Sequence, residues 1–347
     1  MTAQAPEAVA RPADSGGPLL VADNLVKYFP ITRGLLRRTV GHVRAVDGVS
    51  FHINRGETVG LVGESGCGKS TVARMVLHLI APTSGSVNFE GTELTRLSAR
   101  AMKPHRRRMQ IVFQDPFSSL NPRMRIVESV GEPLVTHGIV TGAAKRRRVC
   151  ELMEMVGLSP SDVDRYPHQF SGGQAQRIGI ARALATRPDL IVCDEAVSSL
   201  DVSVQAQVLN LLKRLQGELG LSYLFIAHDL NVVRYLSDRV YVMYLGRMVE
   251  IGPSEAIMAQ PQHPYTEALI GSIAKAAAPG AIRRRREVAR GEVPSPSRPP
   301  TGCHFHPRCP KVFDLCRTQS PPLYVLPGGQ QSACHLRADV AEGTANG

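Results

Sequence analysis

The amino-acid sequence predicts an α/β fold, in which short buried strands alternate with helices. Three observations support this prediction. A glycine-rich turn lies between an apolar run, residues 58–62, and a helix-forming stretch that starts near Lys69. Two later apolar runs, Leu190–Cys193 and Ser222–Ala227, end directly before polar side chains. Upstream of the glycine-rich turn, apolar and polar residues alternate as they do in an antiparallel pair of strands.

Length and composition limit the classes of protein. A chain of 347 residues can bury a large core and is long enough for two domains. No uncharged apolar stretch approaches the roughly 20 residues that cross a bilayer. Residues 1–18 are rich in Ala, Pro and Gly, include Glu7 and Asp14, and lack the apolar centre of a signal peptide. We therefore expect a disordered lead over residues 1–18 and a cytoplasmic protein.

The chain is basic, with a net charge of +11. Basic residues cluster in three runs, Arg106–Arg108, Lys145–Arg148 and Arg283–Arg286. Such runs can contact nucleic acid, bind anionic lipid headgroups or simply face water. Charge alone does not choose among these partners.

The glycine-rich turn fits a phosphate-binding loop. Gly63, Gly68, Lys69 and Ser70 fill the pattern G-x-x-x-x-G-K-[ST]. In such a loop backbone N–H groups and a helix N-terminus face phosphate oxygens, Lys69 reaches the β- and γ-phosphates, and Ser70 binds Mg²⁺. A chance turn is the alternative, against which the flanking strand and amphipathic helix argue. The residues predicted to contact the nucleotide here are Gly63, Glu64, Ser65, Gly66, Cys67, Gly68, Lys69, Ser70 and Thr71.

Two antiparallel strands are expected upstream, over Leu19–Phe29 and Arg44–Ile53, with a basic loop over Ile31–Gly41 between them. Tyr28 and Phe29 lie at the end of the first strand. Either ring could stack on an adenine or pack into the core, and the local sequence does not separate these roles.

Polar side chains follow the buried strands. Gln114 follows Met109–Phe113, where it could bind Mg²⁺ or orient an attacking water, although a lone glutamine carries little weight. His228 follows Ser222–Ala227 and can donate a hydrogen bond to a γ-phosphate.

Two adjacent carboxylates, Asp194 and Glu195, end the apolar run that begins at Leu190. Because neighbouring carboxylates repel each other and lose solvation in such a place, their position favours a chemical role over a structural one. Asp194 is predicted to be a Mg²⁺ partner, and Glu195 to polarise the water that attacks the γ-phosphate.

The segment between these strands is expected to be helical, over Ile126–His137 and Ala143–Val156, with Gly157 as a C-cap. Ser171-Gly172-Gly173-Gln174 then opens a further helix. Ser171 is a natural N-cap, and two glycines at a helix start leave N–H groups open to an anion.

Taken in order, these motifs resemble those of an ATP-binding cassette (ABC) ATPase over about residues 19–255. The matching segments are Gly63–Thr71 (Walker A), Gln114 (Q-loop), Ser171–Gln174 (signature), Leu190–Glu195 (Walker B) and His228 (H-loop). The resemblance implies a P-loop NTPase fold with a RecA-like core sheet, an antiparallel β lead-in and a helical subdomain over about residues 116–187. Phe170 replaces the usual leucine, and Ala196–Asp201 departs from the usual Pro-Thr-Ser-Ala-Leu-Asp, without altering a phosphate-contacting group.

The resemblance also implies that two cassettes pair head to tail, with each ATP between the Walker A of one chain and the signature of the other. ATP then closes the dimer and hydrolysis reopens it. Phe29, or Tyr28, would stack on the adenine. The implied catalytic residues are Lys69, Gln114, Glu195 and His228; Mg²⁺ would bind Ser70, Gln114 and Asp194; and Ser171, Gly172, Gly173, Gln174, Asp194 and Asp201 complete the nucleotide site.

The C-terminal part resembles the ATPases of oligopeptide and dipeptide permeases. Gln262–Leu269, with its His-Pro-Tyr sequence, and Phe113–Pro122 carry this likeness. We expect a small Cys-rich C-terminal extension over residues 256–347, with a Pro- and Arg-rich linker over residues 279–300.

Four of the seven cysteines fall in this extension: Cys303, Cys309, Cys316 and Cys334. Disulfides are not expected in a cytoplasmic protein. Four thiolates suit an iron–sulfur cluster or a Cys₄ zinc site, and reduced, unligated thiols are a third alternative. The lack of close C-x₂₋₄-C pairs favours a cluster over zinc, and the subfamily resemblance implies a [4Fe–4S] cluster.

Three functions remain open. The first is the ATPase subunit of a peptide importer, peripheral at the cytoplasmic face of the membrane. Its implied partners are a sister ATPase subunit, two transmembrane permease subunits and an extracytoplasmic peptide-binding protein, with nickel or glutathione as alternative cargo. The second is an ABC ATPase acting on nucleic acid or ribosomes, which would need a long coiled coil or tandem cassettes. The third is a small-molecule kinase, against which the signature argues; we expect the importer, without a nucleic-acid partner.

Overall fold

The computed structural model describes residues 17–34, 38–272 and 291–340, and these residues form two sheets and a set of helices around them. Residues 1–16 of the expected lead, and residues 279–290 of the expected linker, lie outside the described residues. The basic run Arg283–Arg286 lies outside them as well.

The strands of the described chain are β1 (Leu20–Arg33), β2 (Arg38–Ile53), β3 (Thr58–Val62), β4 (Ser84–Phe89), β5 (Thr92–Glu93), β6 (Met109–Val112), β7 (Leu190–Asp194), β8 (Ser222–Ala227), β9 (Arg239–Tyr244), β10 (Arg247–Pro253), β11 (Tyr324–Val325) and β12 (Gln331–Ser332). Its α-helices are α1 (Lys69–Val76), α2 (Met102–Arg108), α3 (Ile126–Thr136), α4 (Gly142–Met155), α5 (Gly172–Leu184), α6 (Val202–Leu219), α7 (Leu230–Leu236), α8 (Ser254–Ala259), α9 (Pro264–Ser272) and α10 (Asp314–Thr318).

The smaller sheet is antiparallel, in the order β2-β1-β4-β5. The antiparallel pairing of β1 with β2 is as predicted, but the loop expected over Ile31–Gly41 is wrong. The two strands continue into this segment, where Ile31 pairs with Gly41 and Thr32 with Thr39. These residues are largely exposed and are joined through their backbones. Because these paired residues bury little side-chain surface, no periodic pattern marks them in the sequence.

The larger sheet runs β11-β12-β10-β9-β3-β8-β7-β6 within the described residues. Its centre, from β9 to β6, is parallel. Alternate residues of β7 enter different hydrophobic clusters: Leu190 and Val192 face the smaller sheet and α1, whereas Ile191 and Cys193 face the helices. Burial on both faces explains why these strands appear as unbroken apolar runs. The parallel order also brings the carboxyl ends of β3, β7 and β8 to one edge.

Helices α3, α4 and α5 pack on one another and lie between β6 and β7 along the chain. Gly157 follows α4 with φ +74°, a conformation that suits the predicted C-cap. No helix among the described residues is long and apolar enough to cross a membrane.

Residues after β10 pack back onto the cassette. Strand β12 pairs with β10, where Glu250 lies opposite Ser332, and β11 pairs with β12. Phe305 is buried in the same hydrophobic cluster as the core helices. The C-terminal extension is therefore continuous with the larger sheet.

Candidate nucleotide-binding site

The phosphate-binding loop joins β3 to α1. Gly68 has φ +110°, and a Cβ atom there would lie 2.1 Å from the carbonyl oxygen of Ala45 on β2, so the loop requires glycine at this point. Lys69 is buried, and its Nζ donates to the carbonyl oxygens of Gly63 (2.7 Å) and Glu64 (3.1 Å). The ammonium group thus lies inside the loop, facing the groups that surround a phosphate in such motifs.

Two oxygen ligands lie side by side at the start of α1 and the end of β7. The Ser70 hydroxyl donates to Asp194 Oδ1 at 2.9 Å. Burial raises the pKa of the Asp194 carboxyl group, while the hydrogen bond from Ser70 acts in the opposite direction. A hydroxyl beside a largely buried carboxylate is a donor set that fits Mg²⁺.

Of the four predicted catalytic residues, the other three lie around Glu195. Gln114 Nε2 donates to Glu195 Oε2 at 2.9 Å, and His228 Nδ1 lies 3.9 Å from the same oxygen. Lys69 Nζ lies 3.9 Å from Glu195 Oε1. Glu195 itself has φ +51°, a left-handed conformation that a non-glycine residue adopts at a cost on the order of 1–3 kcal/mol. The arrangement places a carboxylate, an amide, an imidazole and an ammonium at one edge of the sheet.

The two candidate adenine-stacking rings differ in their surroundings. The Tyr28 hydroxyl donates to Asp47 Oδ1 at 2.5 Å, and Arg247 donates to the other oxygen of the same carboxylate. The bond to Asp47 raises the pKa of Tyr28. Phe29 is 39% exposed, and Lys27 Nζ lies 5.2 Å from its ring centre. Of these two side chains, Phe29 has the more open ring face.

Ser171 caps the helix α5. Its hydroxyl accepts the backbone N–H of Gln174 (3.3 Å), and Gln174 Oε1 accepts the N–H of Ser171 (3.0 Å), which forms a capping box. Gly173 lies against α6, since a Cβ there would be 2.3 Å from Val204 Cγ1. Asp201 occupies the N-cap position of α6. The side chains of Ser171 and Gln174 stay exposed, on the outside of the chain.

Comparison with known proteins identifies the family. The ABC transporter family model matches residues 46–198, and the model of the oligopeptide/dipeptide transporter C-terminal region matches residues 249–316. The oligopeptide transport ATP-binding protein AppF of Bacillus subtilis is 51% identical over 92% of this chain and 97% of its own length. The probable peptide ABC transporter ATP-binding protein y4tS of Sinorhizobium fredii is 52% identical over 93% and 91%. The chain is an ABC transporter ATPase.

Solved structures agree with this assignment. The ATP-binding cassette MJ0796, in a dimeric post-hydrolysis state bound to ADP and Pi, is 30% identical with a TM-score of 0.61, over 68% of this chain and 98% of that one. CbiO1 of Clostridium perfringens is 27% identical with a TM-score of 0.60, over 70% and 91%. The ABC ATPase fold predicted from the motif order is confirmed.

Two residues that sequence reasoning did not select connect the signature helix of the ATPase to the Q-loop segment. Gln176 is buried on α5, and its Nε2 donates to the carbonyl oxygen of Phe113 (3.3 Å), the residue before Gln114. Arg182 Nη1 donates to the carbonyl oxygen of Ser119 (2.5 Å). No local pattern singles out Gln176 and Arg182, because they lie six residues apart among other polar side chains of α5.

Two further residues of the ATPase come from the C-terminal extension. Arg308 binds the Glu64 carboxylate with both arms of its guanidinium group, and the Tyr265 hydroxyl accepts the Glu64 backbone N–H. A carboxylate in a loop that binds polyphosphate calls for a nearby cation. The presence of Glu64 in the loop could have predicted a nearby cation. It could not have predicted which of the 41 Lys and Arg residues supplies that cation.

The four cysteines of the extension surround one pocket, together with His263 and Phe305. Burial raises the pKa of Cys303 and of Cys334 to about 11 each. The donor chemistry, four thiols around one space, fits a soft metal or cluster. Among the described residues, no three His, Cys, Asp or Glu side chains are already arranged as the ligands of a metal ion.

Proposed function

We propose that this ATPase powers the import of di- and oligopeptides through a membrane ABC transporter. The observation that supports hydrolysis is the convergence of Lys69, Gln114 and His228 on Glu195. The peptide cargo is supported by the match of residues 249–316 to an oligopeptide/dipeptide transporter region. Relatives named for peptide import point the same way, including one from Brucella abortus that is 56% identical over 93% of this chain and 96% of its own length.

In this proposal each part of ATP binding and hydrolysis is assigned to particular residues of the chain. The loop from Gly63 to Thr71 binds the phosphates, with Lys69 at the β- and γ-phosphates. Ser70, Gln114 and Asp194 would hold Mg²⁺, which neutralises charge on the transferring phosphoryl group. Glu195 orients and polarises the attacking water, and His228 donates a hydrogen bond to the γ-phosphate. Phe29 is favoured over Tyr28 for stacking on adenine because its ring face is the more open.

The exposed position of Ser171 and Gln174 supports a second step of the proposal. Each ATP would be clasped by Lys69 of one cassette and Ser171 of another, with Asp201 and both signature glycines completing the contact. A sister ATPase subunit, two transmembrane permease subunits and an extracytoplasmic peptide-binding protein would complete the assembly. The helices α3 and α4 and the Gln114 region would dock on the permease at the cytoplasmic face of the membrane.

Reconstitution tests the peptide assignment. The chain, its permease subunits and the binding protein are placed in liposomes, and ATP turnover is measured with di- and oligopeptides, with nickel and with glutathione. Stimulation by peptides alone supports the proposal. Stimulation by nickel or glutathione alone changes the cargo, and purification as an RNA-containing particle without membrane proteins would favour the nucleic-acid alternative.

For the four-cysteine pocket we propose a [4Fe–4S] cluster as a structural staple, with zinc as the alternative. Four thiols that line one pocket support this proposal. Purification without oxygen, visible absorbance and metal analysis decide between the two. Cys316→Ser is expected to bleach the absorbance, whereas Cys150→Ser, on α4, leaves it unchanged; a wild type that carries zinc alone would end the cluster proposal.

A further inference from the structure

We infer that the C-terminal extension positions the phosphate-binding loop, with Tyr265 and Arg308 as positioning residues for ATP binding. Both side chains reach Glu64, the second residue of the loop motif, from far along the chain. Their contacts are of two kinds, one to the Glu64 side chain and one to its backbone. Together they fix the loop at the point where it leaves β3.

Arg308 holds the side chain of Glu64. Its Nη1 and Nη2 donate to Glu64 Oε2 (2.7 Å) and Oε1 (3.0 Å), a two-armed pairing that fixes orientation as well as distance. Arg308 is only 8% exposed, and its guanidinium lies 5.9 Å from the ring centres of Tyr244 and Phe305. The Glu64 carboxylate raises the pKa of Arg308. The pair therefore neutralises a negative charge that would otherwise oppose a bound polyphosphate.

Tyr265 holds the backbone of the same residue. Its hydroxyl accepts the Glu64 N–H at 2.8 Å, and the side chain is 1% exposed. Its ring packs against Tyr244 and Phe305, with centroids 4.7 and 5.4 Å away. An immobile aromatic residue thus fixes the first peptide group after Gly63.

The His-Pro-Tyr segment explains how Tyr265 is held. His263 Nδ1 accepts the N–H of Tyr265 (3.0 Å), which requires a neutral ring, and burial lowers the pKa of His263 to about 3. The Glu250 carboxylate accepts the N–H groups of Gln262 (2.6 Å) and His263 (2.9 Å). These hydrogen bonds fix the segment and, with it, the position of the Tyr265 hydroxyl group.

The braced peptide is in contact with the phosphate-binding lysine. The Gly63 carbonyl oxygen, which shares a peptide group with the Glu64 N–H, accepts a hydrogen bond from Lys69 Nζ at 2.7 Å, and the Glu64 carbonyl oxygen accepts another at 3.1 Å. Loss of either contact to Glu64 therefore frees the segment that Lys69 contacts. This loss should weaken ATP binding more than it slows the chemical step. A purely structural role would lower stability and leave the Michaelis constant unchanged.

The test measures KM and kcat for Mg-ATP, and the melting temperature, for the full-length ATPase in its transporter. Arg308→Met keeps the side-chain bulk and is expected to raise KM about tenfold, and Tyr265→Phe keeps the ring and is expected to raise it about threefold. In both variants kcat should stay within about twofold of wild type. The matched control is Arg234→Met, which removes another two-armed arginine pair, to Glu255 on α8; its KM should match wild type.

A double-mutant cycle identifies the route. If Arg308 acts through Glu64, adding Arg308→Met to Glu64→Ala produces no further rise in KM. The inference fails if Tyr265→Phe and Arg308→Met both keep a wild-type KM. It also fails if the effects of Arg308→Met and Glu64→Ala on KM are fully additive. Should Arg308→Met not fold, Tyr265→Phe decides alone, because it retains the aromatic packing.

Discussion

The backbone of Glu195 has a left-handed conformation, and its carboxylate lies among three polar side chains. Gln114 donates to one of its oxygens, and Lys69 and His228 lie 3.9 Å from the carboxylate. A residue in this conformation persists only where its surroundings fix it. The strained backbone is consistent with the catalytic role proposed for Glu195.

Replacing this carboxylate with an amide tests the assignment. Glu195→Gln is expected to lower ATP turnover by about a hundredfold or more, because an amide cannot activate water, while the phosphate loop still binds ATP. A bound but unhydrolysed nucleotide should hold the dimer closed. Turnover assays and size-exclusion chromatography with Mg-ATP measure both effects, and wild-type turnover would remove Glu195 from this role.

A second prediction at the residue scale concerns two glycines of the phosphate-binding loop. Gly68→Ala should lower the free energy of unfolding by about 3 kcal/mol or more, because its Cβ would lie 2.1 Å from the Ala45 carbonyl oxygen. Gly66 also has a positive φ, +78°, but nothing lies within 4 Å of its Cβ position. Gly66→Ala should therefore cost only about 1 kcal/mol. Denaturant unfolding of both variants would contradict this account if the losses were equal.

Among the elements, those buried on both sides were the ones that the sequence located well. The strand β8 begins and ends where the apolar run predicted it, over Ser222–Ala227. The outer part of the β1–β2 pairing, from Ile31 with Gly41 to Arg33 with Arg38, was missed because these residues pair through the backbone and bury little surface. The order of strands was not predicted either, since each strand contacts partners chosen by packing rather than by local pattern.

The free energy of unfolding is expected to depend on pH through Glu250 on β10. Burial raises the pKa of Glu250 from 4.5 to about 7. The folded protein thus retains a proton that the unfolded chain releases, and the stabilisation is complete below about pH 4.5 and is lost as the pH rises through about 7. From about pH 5 to about pH 8 this loss is on the order of 2 kcal/mol.

Glu250→Gln should remove this dependence. We expect the variant to lose less stability than wild type over the same pH range, measured by denaturant unfolding. His263, whose pKa burial lowers to about 3, contributes equally to both proteins, as does the nearby charge of Arg337. Parallel stability curves for the two proteins would show that Glu250 does not titrate in this range.

At the scale of the whole molecule, the phosphate loop and the signature lie on separate parts of one chain. In the proposed dimer, the phosphate loop of one chain faces the signature of the other. Ser171→Arg should abolish ATP-driven pairing and lower turnover by about a hundredfold, while a single chain still binds ATP. The matched control is Ser161→Arg, at another exposed serine of the helical region. Chromatography in the Glu195→Gln background measures pairing, and a stable dimer of the Ser171 variant would contradict head-to-tail closure.

The sequence also set a limit on how much of the site could be predicted. Lys69, Ser70, Asp194 and Glu195 could be proposed from the sequence because each belongs to a short local motif. The contacts of Tyr265 and Arg308 to Glu64 were not found, since 201 and 244 residues separate the partners and neither contact leaves a local pattern. The four cysteines line one pocket, but their spacing along the chain does not predict what that pocket binds.

The brace on Glu64 has a consequence for biosynthesis. Arg308 is translated 244 residues after its partner, and the ribosome adds about 5–20 residues per second, so roughly 12–50 s pass between the two. Throughout that interval the nascent loop is without the guanidinium group that anchors it. The phosphate-binding loop of a growing chain is thus completed only after Arg308 has been translated and has folded onto it.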